Sequence, residues 1–221
     1  MKLYGSPVSN YCNVVKLALL EKGLEFDTQL IDSNKPQGFY KKSPMGKIPC
    51  LQTEQGYLSE TSVILDYLED SQPGLALYPK DAFERARVKQ IIKIIELYIE
   101  LPARSCYSQA FFGGMVSEEV KNQARVSLLK GVRALNQLGQ FSPFIAGKSL
   151  SYADLFFMYS LDLAEFVAQN VLEMELLAGM PKAQALMNIL NARPHADLVN
   201  KQRDALMAQF LAAKQGNAVA G

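Results

Sequence analysis

The spacing of apolar side chains alternates between a strand period and a helical period in the first third of the chain. Residues 2–4 form a short apolar segment, and apolar and polar side chains alternate from 24 to 30, so both segments are predicted strands. Residues 11–22, between them, carry apolar side chains at helical spacing and stop at Gly23, a residue typical of helix C-termini. This part of the chain therefore predicts the order β–α–β.

A second group of predicted elements follows a polar loop over residues 32–43. Residues 47–53 and 57–59 predict two strands joined by a turn, and residues 62–70 predict a helix. Pro49 lies within the first of these strands, where it cannot donate a ladder hydrogen bond, so we expect this backbone to serve another purpose. The start of the following helix presents unpaired N–H groups, which suit a carboxylate. A position for a peptide-like ligand and a position for its carboxylate are therefore expected side by side.

After a linker with proline and glycine at residues 71–80, the apolar side chains follow the helical period only. One long apolar stripe runs over residues 88–99, Pro102 predicts a kink, and Gly113 would end that helix. Ser151 and Asp154 have the spacing of a capping box and open the most apolar helix of the chain. We predict a first domain over residues 1–75, a linker over 76–83 and an all-helical domain over 84–221.

Composition narrows the classes of protein that fit. The chain has 221 residues, 49% of them hydrophobic and 20% charged, which is typical of globular proteins. Its 23 Lys and Arg against 22 Asp and Glu leave a net charge of +1, so no broad field favours nucleic acid or anionic lipid. No apolar segment is long enough for a membrane span, and the first residues lack the apolar region of a signal peptide. We expect a cytoplasmic protein without a nucleic-acid or membrane partner.

The residues that carry chemistry in many enzymes are few here. The three cysteines, Cys12, Cys50 and Cys106, are widely spaced and odd in number, which argues against a disulfide framework. His195 is the one histidine, and the chain has no C-x-x-C, Walker or G-x-G-x-x-G motif. The sequence therefore predicts no metal, and it disfavours dithiol and nucleotide sites.

Several separated segments resemble cytosolic glutathione transferases of the bacterial type. Residues 6–24 are similar to the first loop and helix of that family, and residues 43–49 are similar to its "NPxGKVP" segment, with Ser43 in place of Asn. Residues 60–61 resemble its "ES" corner, residues 147–154 its "GxxxSxAD" element, and residues 193–194 its late "RP" pair. The resemblance implies an α/β thioredoxin-like N-terminal domain of order βαβ–ββα, followed by an all-α helical-bundle C-terminal domain.

The resemblance implies Ser9 as the catalytic residue. A free thiol has a pKa of ~8.5 and only its thiolate is a good nucleophile, so a hydroxyl donor at a helix start would favour the reactive form. Thioredoxin-like proteins have C-x-x-C at this place, and here the frame reads Ser9 to Cys12. Ser9 could instead be only a helix cap. Tyr4 as the activating hydroxyl and Cys12 as a reactive thiol are the other two alternatives.

The remaining site residues implied by the resemblance would hold glutathione as the co-substrate. Ile48 would offer its backbone to the cysteinyl part, and Pro49 would be a cis proline that keeps this edge open. Glu60 would pair with the γ-glutamyl amino group, and Thr61 would hold its carboxylate. The glycine carboxylate would face two lysines, Lys47 and Lys42.

The resemblance also implies an apolar electrophile as second substrate, placed near Tyr107 and Phe111, and a homodimer. The leading hypothesis is a glutathione S-transferase that conjugates the thiolate to a small, partly apolar electrophile. The alternatives are a glutathione-dependent isomerase, peroxidase or thiol reductase on the same fold. A non-enzymatic regulatory protein similar to the stringent starvation proteins is the alternative outside enzymes.

Overall fold

The computed structural model describes residues 1–31 and 38–218, with side chains described up to residue 209. The strands are β1 Lys2–Gly5, β2 Asp27–Leu30, β3 Cys50–Gln52 and β4 Tyr57–Ser59. The helices are α1 Asn10–Glu21, α2 Thr61–Ser71, α3 Ala82–Ile95, α4 Leu101–Arg104, α5 Tyr107–Phe112, α6 Glu118–Leu138, α7 Tyr152–Val171, α8 Pro181–Asn191 and α9 Pro194–Ala218. Packing divides the chain into one unit of residues 1–75 with 191–221 and a second of residues 76–190.

A four-stranded mixed sheet with the order β2–β1–β3–β4 forms the centre of the first unit. Strand β1 runs parallel to β2 and antiparallel to β3, and β4 runs antiparallel to β3. Helices α1 and α2 contact each other, and the buried side chains of α1, Val14, Val15 and Leu19 among them, supply much of the core. The predicted thioredoxin-like order βαβ–ββα is confirmed.

Two strands are shorter than the sequence predicts. Strand β2 begins at Asp27, which pairs with Lys2, the first residue of β1. Residues 24–26, which precede β2, therefore extend past the end of β1 and have no strand to pair with among the described residues. Strand β3 begins at Cys50 because Pro49, the residue before it, has no N–H to donate to a ladder. Of the predicted loop over residues 32–43, residues 32–37 lie outside the described residues, and Phe39–Lys41 form one turn of 3₁₀ helix.

The last helix packs with the first unit. Arg193 pairs with Glu21 at the end of α1 at 2.8 Å, and Lys16 donates to Gln202 of α9. Residues 191–221 therefore group with residues 1–75, whereas the predicted limits place them in the helical domain. As domain limits, residues 1–75, 76–83 and 84–221 stay a prediction.

The second unit is helical, as predicted. The long helix predicted over the 88–99 stripe passes into a π-helical segment, Glu96–Glu100, before α4. Pro102 explains this change, because it has no N–H to donate to the carbonyl oxygen of Tyr98 one turn earlier. Gly113 ends α5 in a left-handed conformation, φ 71°, as expected of a helix C-terminus.

Helix α7 is the centre of the second unit and begins with the predicted capping box. Asp154 Oδ2 accepts from the backbone N–H of Ser151 at 2.8 Å, and Oδ1 accepts from the N–H of Ile145 at 2.7 Å. The side chains of Tyr152 and Phe156 behind this box are fully buried. Across the described parts of the chain, no helix combines the length and apolar character that crossing a membrane requires.

Candidate functional site

Three connections of the first unit emerge at one end of the sheet. Tyr4 pairs with Cys50, and Cys50 pairs with Ser59, so these positions of β1, β3 and β4 lie in one row. Strands β1 and β4 both run antiparallel to β3, so their carboxyl ends lie beside the amino end of β3. The loop into α1, the turn before β3 and the corner before α2 therefore share this end. These are the segments in which the family resemblance implies the glutathione-binding residues.

Ser9 is the N-cap of α1. Its Oγ accepts from the backbone N–H of Cys12 at 3.4 Å, which is long for a capping bond. The Ser9 hydroxyl also forms a side-chain hydrogen bond with the Cys12 thiol. Sulfur of a thiol is a weak acceptor, so an anion placed beside the hydroxyl can compete for its proton. The partial positive charge of the α1 N-terminus favours negative charge at the same place.

The two alternative activating groups are less suited to this task. The Tyr4 side chain is only 4% exposed, and its hydroxyl donates to Gln52 Oε1 at 2.7 Å. Burial raises the pKa of the Cys12 thiol to about 11, which leaves almost no thiolate at neutral pH. The geometry therefore favours Ser9 over both.

The Ile48–Pro49 peptide bond is cis, as the family resemblance implies. Neither the N–H nor the carbonyl oxygen of Ile48 makes a hydrogen bond to another residue that the structure describes. Both groups are thus able to pair with the backbone of an extended ligand, in the manner of an added strand.

Glu60 stands at the corner between β4 and α2 with an unusual backbone. Its φ of 69° and ψ of 120° lie in a region that non-glycine residues rarely adopt, at a cost of about 1–3 kcal/mol. Its side chain is exposed and makes no capping hydrogen bond. Thr61, the first residue of α2, is 6% exposed. This strained corner presents a carboxylate with no partner among the described residues, next to the N–H groups of a helix start.

Two lysines were predicted to face the glycine carboxylate. Lys42 Nζ donates to the hydroxyl of Tyr57 at 2.8 Å and lies 4.4 Å from the centre of the Tyr57 ring and 5.4 Å from that of Tyr4. The hydrogen bond to Tyr57 raises the pKa of Lys42, so this lysine stays cationic. Lys47 is exposed and, among the described residues, has no ion-pair partner. The described residues contain no group of three His, Cys, Asp or Glu able to hold a metal ion.

Comparison with known proteins identifies the family of the chain. Residues 3–76 match the family model of the glutathione S-transferase N-terminal domain, and residues 109–196 match that of its C-terminal domain. The chain belongs to the glutathione S-transferase family. A glutathione S-transferase of Pseudomonas putida is 48% identical over 211 residues, covering 96% of each chain, and this similarity identifies the protein as a glutathione transferase enzyme.

More distant relatives of this transferase differ in their named activity. A maleylacetoacetate isomerase of Dictyostelium discoideum is 28% identical over 151 residues, covering 64% of this chain and 68% of its own. The solved ternary complex of BphK, a bacterial glutathione transferase, superposes with a TM-score of 0.77 at 26% identity, covering 92% of this chain and all of that one.

Tyr107 and Phe111, predicted to contact the second substrate, lie on α5 of the transferase's helical unit. The Tyr107 hydroxyl is 3.3 Å from both carboxylate oxygens of Glu100, and its ring meets that of Phe111 edge-on at 5.0 Å. Phe111 stacks on Phe166 of α7 at 5.0 Å with 16° between the rings. Arg104 donates to Glu100 and lies over the Tyr107 ring. The sequence pattern did not single out Glu100 as a neighbour of these residues. Its position directly after the apolar stripe of residues 88–99 is the signal that could have indicated it.

Proposed function

We propose that this transferase conjugates the thiolate of glutathione to a small electrophilic, partly apolar molecule. The observation that carries the proposal is the place of the Ser9 hydroxyl. This hydroxyl caps α1 through a long bond and contacts the weakly accepting thiol of Cys12. It lies at the sheet end where Ile48 and Glu60 also emerge.

Glutathione would be held by contacts that match its parts. The free backbone groups of Ile48 suit the amide and carbonyl of the cysteinyl residue, and the free Glu60 carboxylate suits the γ-glutamyl amino group. Thr61 and the first N–H groups of α2 suit the γ-glutamyl carboxylate. The glycine carboxylate would meet the cationic side chains of Lys42 and Lys47. Each charged group of the tripeptide thus meets an opposite charge or a helix start.

The chemistry then follows from the position of the thiol. A hydrogen bond from Ser9 to the sulfur lowers the pKa of the thiol, and the thiolate attacks the electrophilic carbon of the second substrate. A carbon–sulfur bond forms, and the leaving group departs with the electron pair of the bond that breaks. Tyr107 and Phe111 would supply an aromatic contact surface for the apolar part of that substrate.

Glutathione-dependent isomerisation is the second candidate, because a maleylacetoacetate isomerase is among the relatives above 25% identity. It would use the same thiolate, added to a double bond and then released. Thiol reduction through Cys12 is less favoured, because that thiol is buried and its pKa is raised.

The test compares three variants with 1-chloro-2,4-dinitrobenzene and glutathione at pH 7. Ser9→Ala should lower kcat/KM by about 10- to 100-fold, the range expected for a lost hydrogen bond to a charged group. Ser9→Thr keeps a hydroxyl and should retain much more activity. Cys12→Ser should change activity little. Equal activity of Ser9→Ala and the wild-type enzyme would overturn the proposed role of Ser9.

We also propose that the enzyme is a cytoplasmic homodimer with a detoxifying role. Family membership supports the dimer, and sedimentation equilibrium at micromolar concentration tests it: a mass near twice 24.5 kDa is expected. A mass of one chain at all concentrations would contradict it.

A further inference from the structure

Tyr57, the first residue of β4, holds the Lys42 ammonium against one face of the sheet. Lys42 Nζ donates to the Tyr57 hydroxyl at 2.8 Å and lies 4.4 Å from the centre of the Tyr57 ring. The strand pairing places Tyr4 and Tyr57 on the same face, and their rings meet edge-on at 6.3 Å. Lys42 Nζ lies 5.4 Å from the centre of the Tyr4 ring. Two aromatic rings and one hydroxyl therefore hold one cation in place.

The Tyr4 ring gives Tyr57 a fixed neighbour on one side. Tyr4 is buried, its hydroxyl donates to Gln52 Oε1 at 2.7 Å, and its ring packs against that of Phe39 at 6.0 Å. Tyr57 itself is 39% exposed. Part of the Tyr57 side chain is thus open to a ligand, while the buried cluster behind it limits where the ring can lie.

The pair of Lys42 and Tyr57 has hydrogen-bond donors to spare and no counter-ion. An ammonium group has three N–H donors, and Lys42 uses one of them on Tyr57. Because the Tyr57 hydroxyl accepts this bond, it keeps its own proton, which makes no hydrogen bond to any other described residue. Lys42 likewise forms no ion pair within the described part of the chain. A positive charge with donors on two neighbouring side chains suits a carboxylate, whose two oxygens can each accept.

We propose that Tyr57 is a specificity-determining residue of this transferase, which positions Lys42 and donates its own proton to the glycine carboxylate of glutathione. The inference rests on the proposed glutathione site, in which Lys42 faces that carboxylate. γ-Glutamylcysteine ends one residue earlier, so its last carboxylate lies closer to the thiol and would miss the pair. Tyr57 and Lys42 together would therefore make the enzyme select the whole tripeptide.

The probes are S-hexylglutathione and the ethyl ester of its glycine carboxyl, each titrated into the enzyme by calorimetry at pH 7. The two ligands differ only in the charge that the pair is proposed to bind, and neither can react. The wild-type enzyme should bind the acid about tenfold or more tightly than the ester. Tyr57→Phe keeps the ring and removes the hydroxyl, so it should weaken the acid about tenfold and leave the affinity for the ester unaltered. Tyr40→Phe, a matched change of another exposed tyrosine in the first unit, should alter neither affinity.

A second variant tests whether Tyr57 acts partly through Lys42. Lys42→Met should remove most of the preference for the acid. The double variant should lose less affinity than the sum of the two single losses, because part of the effect of Tyr57 is the placing of Lys42.

The possible failures are distinct. If Tyr57→Phe weakens both ligands equally, Tyr57 has only a structural role; if it weakens neither, its hydroxyl has no role. Equal affinity of the wild-type enzyme for acid and ester overturns the selection of the tripeptide and leaves the proposed conjugation standing. If S-hexylglutathione does not bind at all, the proposed function fails as well.

Discussion

The backbone of Glu60 offers a prediction with two opposite effects from one substitution. Glu60→Gly should stabilise the protein and weaken glutathione binding. Relief of the positive φ contributes about 1–3 kcal/mol to stability, and the greater freedom of glycine in the unfolded chain removes ~0.5–1 kcal/mol. The net gain is about 1 kcal/mol, which corresponds to a rise of ~0.5 M in the urea midpoint. Loss of the carboxylate should weaken glutathione about 10- to 100-fold.

A matched variant separates the two effects. Glu60→Gln keeps the strained backbone and the side-chain shape, so its urea midpoint should equal that of the wild type while its affinity for glutathione falls. Affinity is measured by calorimetry and stability by urea unfolding without ligand. The reasoning is wrong if Glu60→Gly lowers the midpoint, or if both variants bind glutathione as well as the wild-type enzyme does.

Three further predictions concern stability. Burial raises the pKa of the Asp154 carboxyl from 3.8 to about 6. The protonated carboxyl therefore contributes fully to the stability of the fold below pH 4, and this contribution is lost as the pH rises through 6. The free energy of unfolding of the wild type relative to Asp154→Asn should therefore fall by up to ~3 kcal/mol between pH 4 and pH 7, and a constant difference would contradict this. Lys22→Met should cost about 3–5 kcal/mol in urea unfolding, because it removes the ammonium that pairs with the Glu69 carboxylate at 3.2 Å in a buried position. A cost below ~1 kcal/mol would contradict the importance of this pair. Gly131→Ala should lower the melting temperature, because the added Cβ would lie 2.5 Å from the carbonyl oxygen of Tyr98. An unchanged melting temperature would contradict this and would show that α6 and the π-helical segment can move apart.

Local chemistry explains how much of the site could be predicted from the sequence. A proline inside an alternating segment indicated that the backbone of Ile48 is not used for sheet pairing, and the structure has it outside β3. Ser9 before a helical repeat indicated a capped helix start, which is present. The positive φ of Glu60 could not be predicted, because glutamate has no preference for that region and the corner is imposed by the packing of β4 and α2.

The features that were missed depend on contacts between distant residues. The position of α9 rests on the pairing of Arg193 with Glu21, 172 residues apart, which no local pattern encodes. The π-helical segment needs the missing N–H of Pro102, and the sequence indicated only a kink there. In each of these cases local spacing predicts the element, and tertiary packing decides its final geometry.

The most direct test of the central claim is the thiol pKa of glutathione bound to the enzyme, followed by the ultraviolet absorbance of the thiolate across pH. We predict a pKa clearly below the ordinary value of ~8.5, and a pKa about one to two units higher in Ser9→Ala than in the wild type. A bound thiol that titrates like free glutathione, or equally in both proteins, would contradict the claim that Ser9 activates it.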